Sequence, residues 1–139
     1  MTQRALVIGA SGGIGEALCT VLATNGSEVT RLSRTADGFD ITDPASVEGA
    51  MNKYSGQFDM VLIATGILAP EGARPEKSLV EIDKETMARV MAVNAIGPAL
   101  VLQNLPRLLP HNARCVVGVL TARVGSISDN QLGGWYSYR

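Results

Sequence analysis

The residues with the clearest chemical meaning form a glycine-rich segment near the amino terminus, Gly9-Ala10-Ser11-Gly12-Gly13-Ile14-Gly15. It follows the apolar run at residues 5–8 and precedes apolar residues at helical spacing. Glycines at such a junction let backbone N–H groups approach a pyrophosphate, and the amino terminus of the following helix favours its negative charge. The spacing is G-x-x-x-G-x-G rather than G-x-G-x-x-G. In this strand-to-helix context it predicts a dinucleotide-binding loop, with Gly9, Ser11, Gly13, Ile14 and Gly15 as the binding residues.

The same segment also matches G-x-S-x-G, the nucleophile elbow of hydrolases, with Ser11 as the nucleophile. A catalytic triad needs a base, and the only histidine is His111, in a loop-like Leu-Pro-His-Asn stretch. Because a lone loop histidine is more often a surface residue, a serine hydrolase is a third-ranked alternative. No G-K-S or G-K-T follows the glycines, which excludes a P-loop nucleotidase. A tight turn without any ligand is the plainest alternative.

The residues after the second apolar run indicate which dinucleotide is bound. Sites for NAD place Asp or Glu there, because a carboxylate accepts hydrogen bonds from the ribose hydroxyls. Here the run ends in Leu32-Ser33-Arg34, without a carboxylate. The planar guanidinium of Arg34 can instead pair with a 2′-phosphate, unless it is only a solvated surface group. We therefore expect Ser33 and Arg34 to bind the cofactor, with NADP(H) favoured over NAD(H).

Short apolar runs alternate with helix-spaced patterns along almost the whole chain. The helical patterns carry their own start and stop signals, because Asn25-Gly26 can end the first helix and Asp43-Pro44 can begin another. Asp83 is expected to cap a long helix that reaches about Leu105. Alternation of this kind predicts an α/β fold, a doubly wound parallel sheet of the Rossmann type with right-handed crossovers. The five expected strands are residues 5–8, 28–32, 39–41, 60–64 and 115–120.

Composition excludes several classes of protein. The 139 residues are 46% hydrophobic and 18% charged, which is too apolar for intrinsic disorder and enough for one domain. A net charge of -1 without a basic block gives nucleic acid or an anionic membrane no electrostatic footprint. No apolar run reaches the ~18 residues of a membrane span. Cys19 and Cys115 form no disulfide framework or metal-ligand pattern, so we expect a cytoplasmic protein without a metal.

From Gly15 and Arg34 onward, the sequence resembles the short-chain dehydrogenases/reductases. Phe39-Asp40-Ile41-Thr42-Asp43 is similar to the Asp-hydrophobic motif after the family's third strand, and this resemblance implies that Asp40 and the backbone of Ile41 hold the adenine. Ile63-Ala64-Thr65-Gly66 stands where the family has Asn-Asn-Ala-Gly. Only the glycine matches, and the resemblance implies Ala64 and Gly66 as the cofactor-binding residues there.

Two later segments resemble the family's catalytic regions. Residues 93–98 are similar to the helix segment that bears the catalytic asparagine, which implies Asn94, with a local irregularity where Pro98 interrupts the hydrogen bonds. Residues 120–139 look like the C-factor-like and sniffer-like carbonyl reductase branch, and there Tyr138 is the implied catalytic tyrosine. The usual serine falls on Ala122, so Thr121 is the nearest hydroxyl, with Ser126 and Ser128 as weaker substitutes.

The resemblance implies an NADP(H)-dependent oxidoreductase that transfers hydride to or from a small carbonyl or alcohol substrate, with the tyrosine as proton donor. The family lysine that lowers the tyrosine pKa lies one helical turn after it, beyond Arg139. Arg139 does not replace it, because adjacent side chains on a helix diverge. We therefore expect residues 1–139 to be the N-terminal dinucleotide-binding part of a single Rossmann domain in a longer reductase. The catalytic lysine and the substrate loop lie outside this part, and without them little turnover is expected.

Other properties are left open by the sequence. Family members usually pair through the long helix, here residues 83–105, so a homo-oligomer is expected by resemblance. The altered Asn-Asn-Ala-Gly and serine positions motivate a second hypothesis, a non-catalytic dinucleotide-binding or cell-signalling protein that kept the fold. The identity of the substrate is not encoded in these residues.

Overall fold

The computed structural model describes residues 2–139, and its centre is a parallel sheet of four strands. The strands are β1 (Arg4–Ile8), β2 (Glu28–Leu32), β3 (Met60–Ile63) and β4 (Val116–Val119), in the spatial order β2-β1-β3-β4. In register, Ala5 lies beside Val29 on one side and Met60 on the other, and Met60 lies beside Val116. The predicted doubly wound parallel sheet is therefore confirmed.

The strand order creates a switch point between β1 and β3. After β1 the chain passes to β2 on one side, and it later returns to the other side of β1 as β3. Residues 5–8 of β1 are fully buried, as expected for a central parallel strand with helices on both faces. In open sheets of this kind, ligands bind in the crevice beyond the carboxyl ends of the strands at the switch point.

Helices cover the sheet on both faces, where apolar side chains form two clusters. Helix α1 (Gly13–Thr24) contributes Cys19 to a small cluster with Val7 and Ala10. The larger cluster on the other face lies under α3 (Pro44–Asn52) and α5 (Gly97–Asn104) and contains Met51 and Val101. The expected stop and start signals are confirmed. Asn25 is the C-cap of α1, and the carboxylate of Asp43 accepts hydrogen bonds from the N–H groups of Ala45 and Ser46.

The long helix begins as predicted but is not uniform. The Asp83 carboxylate accepts a hydrogen bond from the Thr86 N–H and caps α4 (Lys84–Met91). A π-helical turn (Ala92–Ile96) then separates α4 from α5. Pro98 has no N–H to donate to the carbonyl of Asn94, which explains the predicted irregularity at this point. Among residues 2–139, no helix is long and apolar enough to cross a lipid bilayer.

The prediction of a strand at residues 39–41 is wrong, so the sheet has four strands rather than five. Phe39 and Ile41 are buried and Asp40 is exposed, which gives the alternation of a strand without a neighbouring ladder. The Asp40 N–H donates instead to the Ser46 hydroxyl, 3.0 Å away. A short helix, α2 (Arg34–Asp37), directly precedes this segment and leaves no room for a longer extended run.

Candidate functional site

The glycine loop, residues 9–15, is shaped by close approaches that only glycine permits. Gly9 has φ +87°, and a Cβ there would lie 2.9 Å from the backbone of Ala64. A Cβ on Gly15 would lie 2.1 Å from the Gly9 oxygen, so the first turn of α1 packs directly on the loop. The Gly9 N–H donates to the Leu32 carbonyl at 2.8 Å. The loop is thereby fixed at the switch point, between the ends of β2 and β3.

The amino terminus of α1 is open towards the outside of the protein. Gly12 is the N-cap, and no side chain caps this helix end. A Cβ on Gly13 would meet no atom within 4 Å, while Ser11 and Ile14 are exposed, Ile14 by 64%. The first N–H groups of a helix have no partner within it, and together with the helix dipole they attract an anion. These residues therefore fit the pyrophosphate of a dinucleotide.

Ser33 and Arg34, the two predicted cofactor-binding residues at the end of β2, have different surroundings. Ser33 is buried and caps α2, since its hydroxyl accepts a hydrogen bond from the Ala36 N–H at 3.2 Å. The neighbouring carboxylate of Asp37 accepts from the Ser33 N–H at 2.8 Å. Arg34 is exposed, and among residues 2–139 no ion pair or hydrogen bond engages its guanidinium. The cationic group at this strand end is thus available to a ligand.

The adenine candidates lie in the turn that follows α2. The Asp40 carboxylate is exposed, and its Oδ1 accepts hydrogen bonds from the hydroxyl and the N–H of Thr42, at 2.7 and 2.9 Å. These bonds, led by that of the hydroxyl and assisted by the charge of Arg34, outweigh desolvation and lower the pKa of Asp40. The side chain of Ile41 is buried in the core and packs on Gly97. Only the backbone of Ile41 is left to face a ligand.

Asn94 is the best-anchored of the predicted catalytic residues. Its Oδ1 accepts from the Ile67 N–H and its Nδ2 donates to the Ile67 carbonyl, both at 2.8 Å. Gly66 lies beside it, because a Cβ there would be 3.6 Å from the Asn94 Oδ1. The Asn94 side chain is therefore hydrogen-bonded to the loop after β3, which comprises residues 64–78. Asn94 itself lies in the π-helical turn.

The hydroxyl of Thr65 has no hydrogen-bond partner in the described structure, although it is buried. Ala64, its neighbour, forms the contact with Gly9 and donates its N–H to the Ile8 carbonyl at 2.7 Å. A buried polar atom without a partner is costly, and it is often satisfied by a ligand or a water molecule. The sequence suggested no role for Thr65, since it stands at the alanine of the family motif.

The three candidate hydroxyl groups after β4 differ in whether they are already hydrogen-bonded within the protein. Thr121 is exposed, whereas the hydroxyls of Ser126 and Ser128 lie 3.2 Å apart and bond to each other. Ala122 precedes a short 3-10 turn (Arg123–Gly125). Of the three predicted substitutes for the family serine, Thr121 is therefore the one with a free hydroxyl.

Tyr138 lies in a single turn at residues 135–139, here called the Tyr138 turn. The Arg139 N–H donates to the Trp135 carbonyl at 2.8 Å, which is the hydrogen-bond spacing of an α-helix. The rings of Trp135 and Tyr138 meet edge to face, with centroids 6.2 Å apart. The guanidinium of Arg139 donates to the carbonyls of Val124, Gly133 and Gly134, so it serves the loop rather than a cofactor.

The structure places most of the predicted site residues at the carboxyl end of the sheet, and it separates Ser11 from His111. The glycine loop, Arg34, Ala64, Gly66 and Thr121 all follow carboxyl ends of strands, where parallel strands present their loops together. His111 lies instead in the segment that leads into the amino end of β4. Ser11 and His111 are thus at opposite ends of the sheet, so His111 is not placed to act as a base for Ser11. Among residues 2–139, no group of three or more His, Cys, Asp or Glu is placed to hold a metal ion.

Two residues with clear positions in the site were missed by sequence reasoning. Arg31 of β2 donates to the Ala10 carbonyl at 3.1 Å and lies 3.8 Å from the Glu16 carboxylate, so it braces the glycine loop. Glu76 is buried and contacts the Tyr138 turn. Neither belongs to a motif, and nothing in the local spacing marks them.

Known proteins resemble this chain along almost its entire length. A model of the NAD dependent epimerase/dehydratase family matches residues 5–129. A 1-hydroxy-2-glutathionyl-2-methyl-3-butene dehydrogenase of Rhodococcus sp. strain AD45 is 29% identical over 149 aligned positions, which cover 96% of this chain and 62% of that relative. The chain thus spans less than two thirds of that dehydrogenase.

Solved structures share the fold. A Burkholderia multivorans protein described as a short-chain alcohol dehydrogenase superimposes with a TM-score of 0.85 and 25% identity, over 99% of this chain and 70% of that one. A second B. multivorans structure, described as a short-chain dehydrogenase/reductase with bound NADP, has a TM-score of 0.81 and 23% identity. It covers 100% of this chain and 67% of that one.

Proposed function

Because the chain belongs to the NAD dependent epimerase/dehydratase family, we propose that its protein is an NADP(H)-dependent oxidoreductase of the short-chain dehydrogenase/reductase type. The resemblance predicted from the motifs is confirmed at the level of this family. The observation that carries the proposal is the open amino terminus of α1, with its unobstructed Gly13, at the switch point of the sheet. The proposed substrate is a small carbonyl compound or alcohol.

In the proposed complex, backbone groups bind the pyrophosphate of the dinucleotide and a side chain binds its 2′-phosphate. The N–H groups at the start of α1 receive the pyrophosphate, and the exposed Ile14 offers an apolar surface next to it. The Arg34 guanidinium pairs with a 2′-phosphate, which favours NADP(H). Asp37, three residues after Arg34, already accepts a hydrogen bond from the Ser33 N–H through its Oδ2. The known B. multivorans structure with bound NADP supports the same choice.

The proposed chemistry assigns the proton to Tyr138. A bound dinucleotide supplies hydride transfer at the substrate carbon. Tyr138 donates its hydroxyl proton to the substrate oxygen during reduction and takes it back during oxidation. Asn94 holds the loop after β3 through Ile67, so it is a positioning residue. Thr121, with its exposed hydroxyl after β4, is the proposed hydrogen-bond partner of the substrate oxygen.

The first test separates Tyr138 from its neighbour in the same turn. Assays use the protein expressed from its native gene, after measurement of its intact mass, because we propose that residues 1–139 are the N-terminal part of one Rossmann domain. Tyr138→Phe should lower kcat for NADPH-dependent carbonyl reduction by about two to four orders of magnitude. NADPH affinity should stay within about threefold. Tyr136→Phe, the matched control, should leave both kcat and NADPH affinity unchanged.

Binding of NADPH without turnover of any carbonyl compound or alcohol would favour the non-catalytic alternative instead. Unchanged activity in Tyr138→Phe would remove Tyr138 as the proton donor.

The second test addresses the choice of cofactor. Arg34→Gln should weaken NADPH binding by about ten- to a hundredfold, since a charge-assisted hydrogen bond contributes about 1.5–3 kcal/mol. NADH binding should change little. Arg107→Gln removes an exposed arginine from the 3-10 turn (Pro106–Leu108), which precedes the amino end of β4, and serves as the control of equal charge. Equal losses for NADH and NADPH would contradict recognition of the 2′-phosphate.

The expected homo-oligomer stays a prediction. Met91, Ile96 and Leu102 on the predicted pairing helix are 49%, 53% and 42% exposed, which provides apolar surface for a second copy. Sedimentation of the native protein would decide whether this surface is paired.

A further inference from the structure

Glu76 is the only charged residue in the buried set of the described structure. The residue is 3% exposed, although Arg74 and Lys77 close to it in the chain are exposed. Burying a carboxylate is costly unless several hydrogen bonds compensate for the lost water. Among residues 2–139, no Lys, Arg or His nitrogen forms an ion pair with it. Its compensation must therefore come from neutral donors.

Those donors lie in the Tyr138 turn, about sixty residues away along the chain. The Glu76 Oε1 accepts a hydrogen bond from the Ser137 hydroxyl, and its Oε2 accepts from the Ser137 N–H at 3.3 Å. The backbone carbonyl of Glu76 accepts from the Trp135 N–H at 2.5 Å. Glu76 thus holds both Trp135 and Ser137, two residues of the turn that carries Tyr138.

The charge state of Glu76 fits this role. Burial acts to raise the pKa of its carboxyl, but the Ser137 hydroxyl and nearby backbone N–H groups outweigh burial, so the pKa lies below its ordinary value. The side chain is therefore an ionised acceptor with both oxygens available at neutral pH. Lys77 and Arg139 are the two cationic residues among those that line the same cleft.

Contacts from outside the turn are needed to stabilise its conformation, because part of its backbone lies in an unfavourable region of φ/ψ space. Trp135 has φ +52°, and Gly133 and Gly134 before it also have positive φ. A bulky residue in the left-handed region costs free energy and persists only where its surroundings impose it. A Cβ on Gly134 would lie 3.1 Å from the Glu76 carbonyl oxygen, so glycine lets the two segments approach each other.

The two segments are not joined by a dense apolar core. A cleft of about 420 Å³ lies between them, with Glu76, Leu132, Trp135 and Arg139 among its lining residues. Leu132 is 96% exposed and Trp135 is 38% exposed. The position of the turn relative to the loop after β3 therefore depends on a small number of polar contacts, and Glu76 makes three of them.

We infer that Glu76 is a positioning residue that fixes the Tyr138 turn, and with it the Tyr138 hydroxyl, against the loop that leaves the switch point. The inference rests on the proposed function, in which Tyr138 transfers the proton. Glu76 acts through Ser137 and Trp135 and does not itself touch the substrate. Its removal should slow proton transfer while leaving the glycine loop intact.

The test compares Glu76→Gln with Glu71→Gln, which changes an exposed glutamate of the same loop. Glu76→Gln should lower kcat by about ten- to a hundredfold, with NADPH affinity unchanged within about threefold. The solvent deuterium isotope effect on kcat should rise, because proton transfer becomes slower than the other steps. Ser137→Ala, which keeps the buried carboxylate, should give a smaller loss in the same direction. Glu71→Gln should behave like the parent protein.

A second readout needs no substrate. The fluorescence of Trp135, isolated by subtracting the spectrum of Trp135→Phe, reports the conformation of the turn directly. Glu76→Gln and Ser137→Ala should increase its quenching by acrylamide, whereas Glu71→Gln should not. The far-ultraviolet circular dichroism of all three variants should stay unchanged, which excludes general unfolding.

Two results would overturn the inference. The first is a folded Glu76→Gln protein with unchanged kcat and unchanged Trp135 quenching. The second is a loss of kcat that is accompanied by a loss of NADPH affinity of the same fold and by a loss of thermal stability, because this combination indicates a general structural role. If Tyr138→Phe retains activity, Tyr138 is not the proton donor, and the Trp135 quenching still decides whether Glu76 holds the turn.

Discussion

The glycine loop and the Tyr138 turn both follow carboxyl ends of strands, but they are held in place by different parts of the chain. Within the glycine loop, Gly15 packs on Gly9 and the Gly12 N–H donates to the Gly9 carbonyl at 3.1 Å. The Tyr138 turn is held by Glu76, far away in the sequence. The glycine loop also bonds to Leu32 at the end of β2, but its close local contacts leave a readable glycine motif, whereas the contact of the Tyr138 turn with Glu76 leaves none.

The largest expected effect tests the local nature of the glycine loop. Gly15→Ala would place a Cβ 2.1 Å from the Gly9 oxygen, and backbone cannot yield as a side chain can. We expect a loss of about 3 kcal/mol in the free energy of unfolding, at the upper end for overpacking. Urea denaturation of the variant and the parent protein would measure it.

Gly13→Ala is the matched control, because its Cβ would meet no protein atom within 4 Å. Its stability should be unchanged or higher by about 0.5–1 kcal/mol, since alanine favours the helix. NADPH binding should nevertheless weaken by about tenfold, because the methyl group occupies the space assigned to the ligand. Unchanged NADPH binding would show that this space is not used.

An intermediate effect is expected at Asn94, which joins two regions of the chain. Asn94→Ala would leave the Ile67 N–H and carbonyl without their partner, at a cost of about 2 kcal/mol. Asn104→Ala is the control, because Asn104 makes one hydrogen bond within its own helix, to the Leu100 carbonyl at 2.9 Å. It should cost about 0.5–1 kcal/mol. Equal costs in thermal unfolding would contradict a special role for the pairing of Asn94 with Ile67.

The smallest expected effect is a pH dependence confined to the Tyr138 turn. The folded-state pKa of Glu76 is lowered, so its contribution to stability is complete above its ordinary pKa and is lost as pH falls through the lowered value. We therefore expect Trp135 quenching to increase in acid, at a pH below the ordinary carboxyl value of about 4.3. The same step should be absent from Glu76→Gln.

Several elements were predictable because their signals are local. Asp43 and Asp83 cap helices through neighbouring N–H groups, and the run at residues 5–8 marks a central strand by its continuous apolarity. The segment at residues 39–41 misled the prediction for a physical reason. Alternating burial is compatible with a strand but does not supply a hydrogen-bonded neighbour, and the Asp40 N–H donates to the Ser46 hydroxyl instead of to another strand.

The sequence by itself determined the α/β order, the glycine loop and the position of the irregular turn at Asn94, since each depends on backbone preferences within a few residues. Only the tertiary structure decided that the Asn94 amide is paired with Ile67, that Ser11 and His111 lie at opposite ends of the sheet, and that Glu76 holds the Tyr138 turn. These contacts join residues distant in sequence, and their partners become neighbours only when the sheet has brought its loops together.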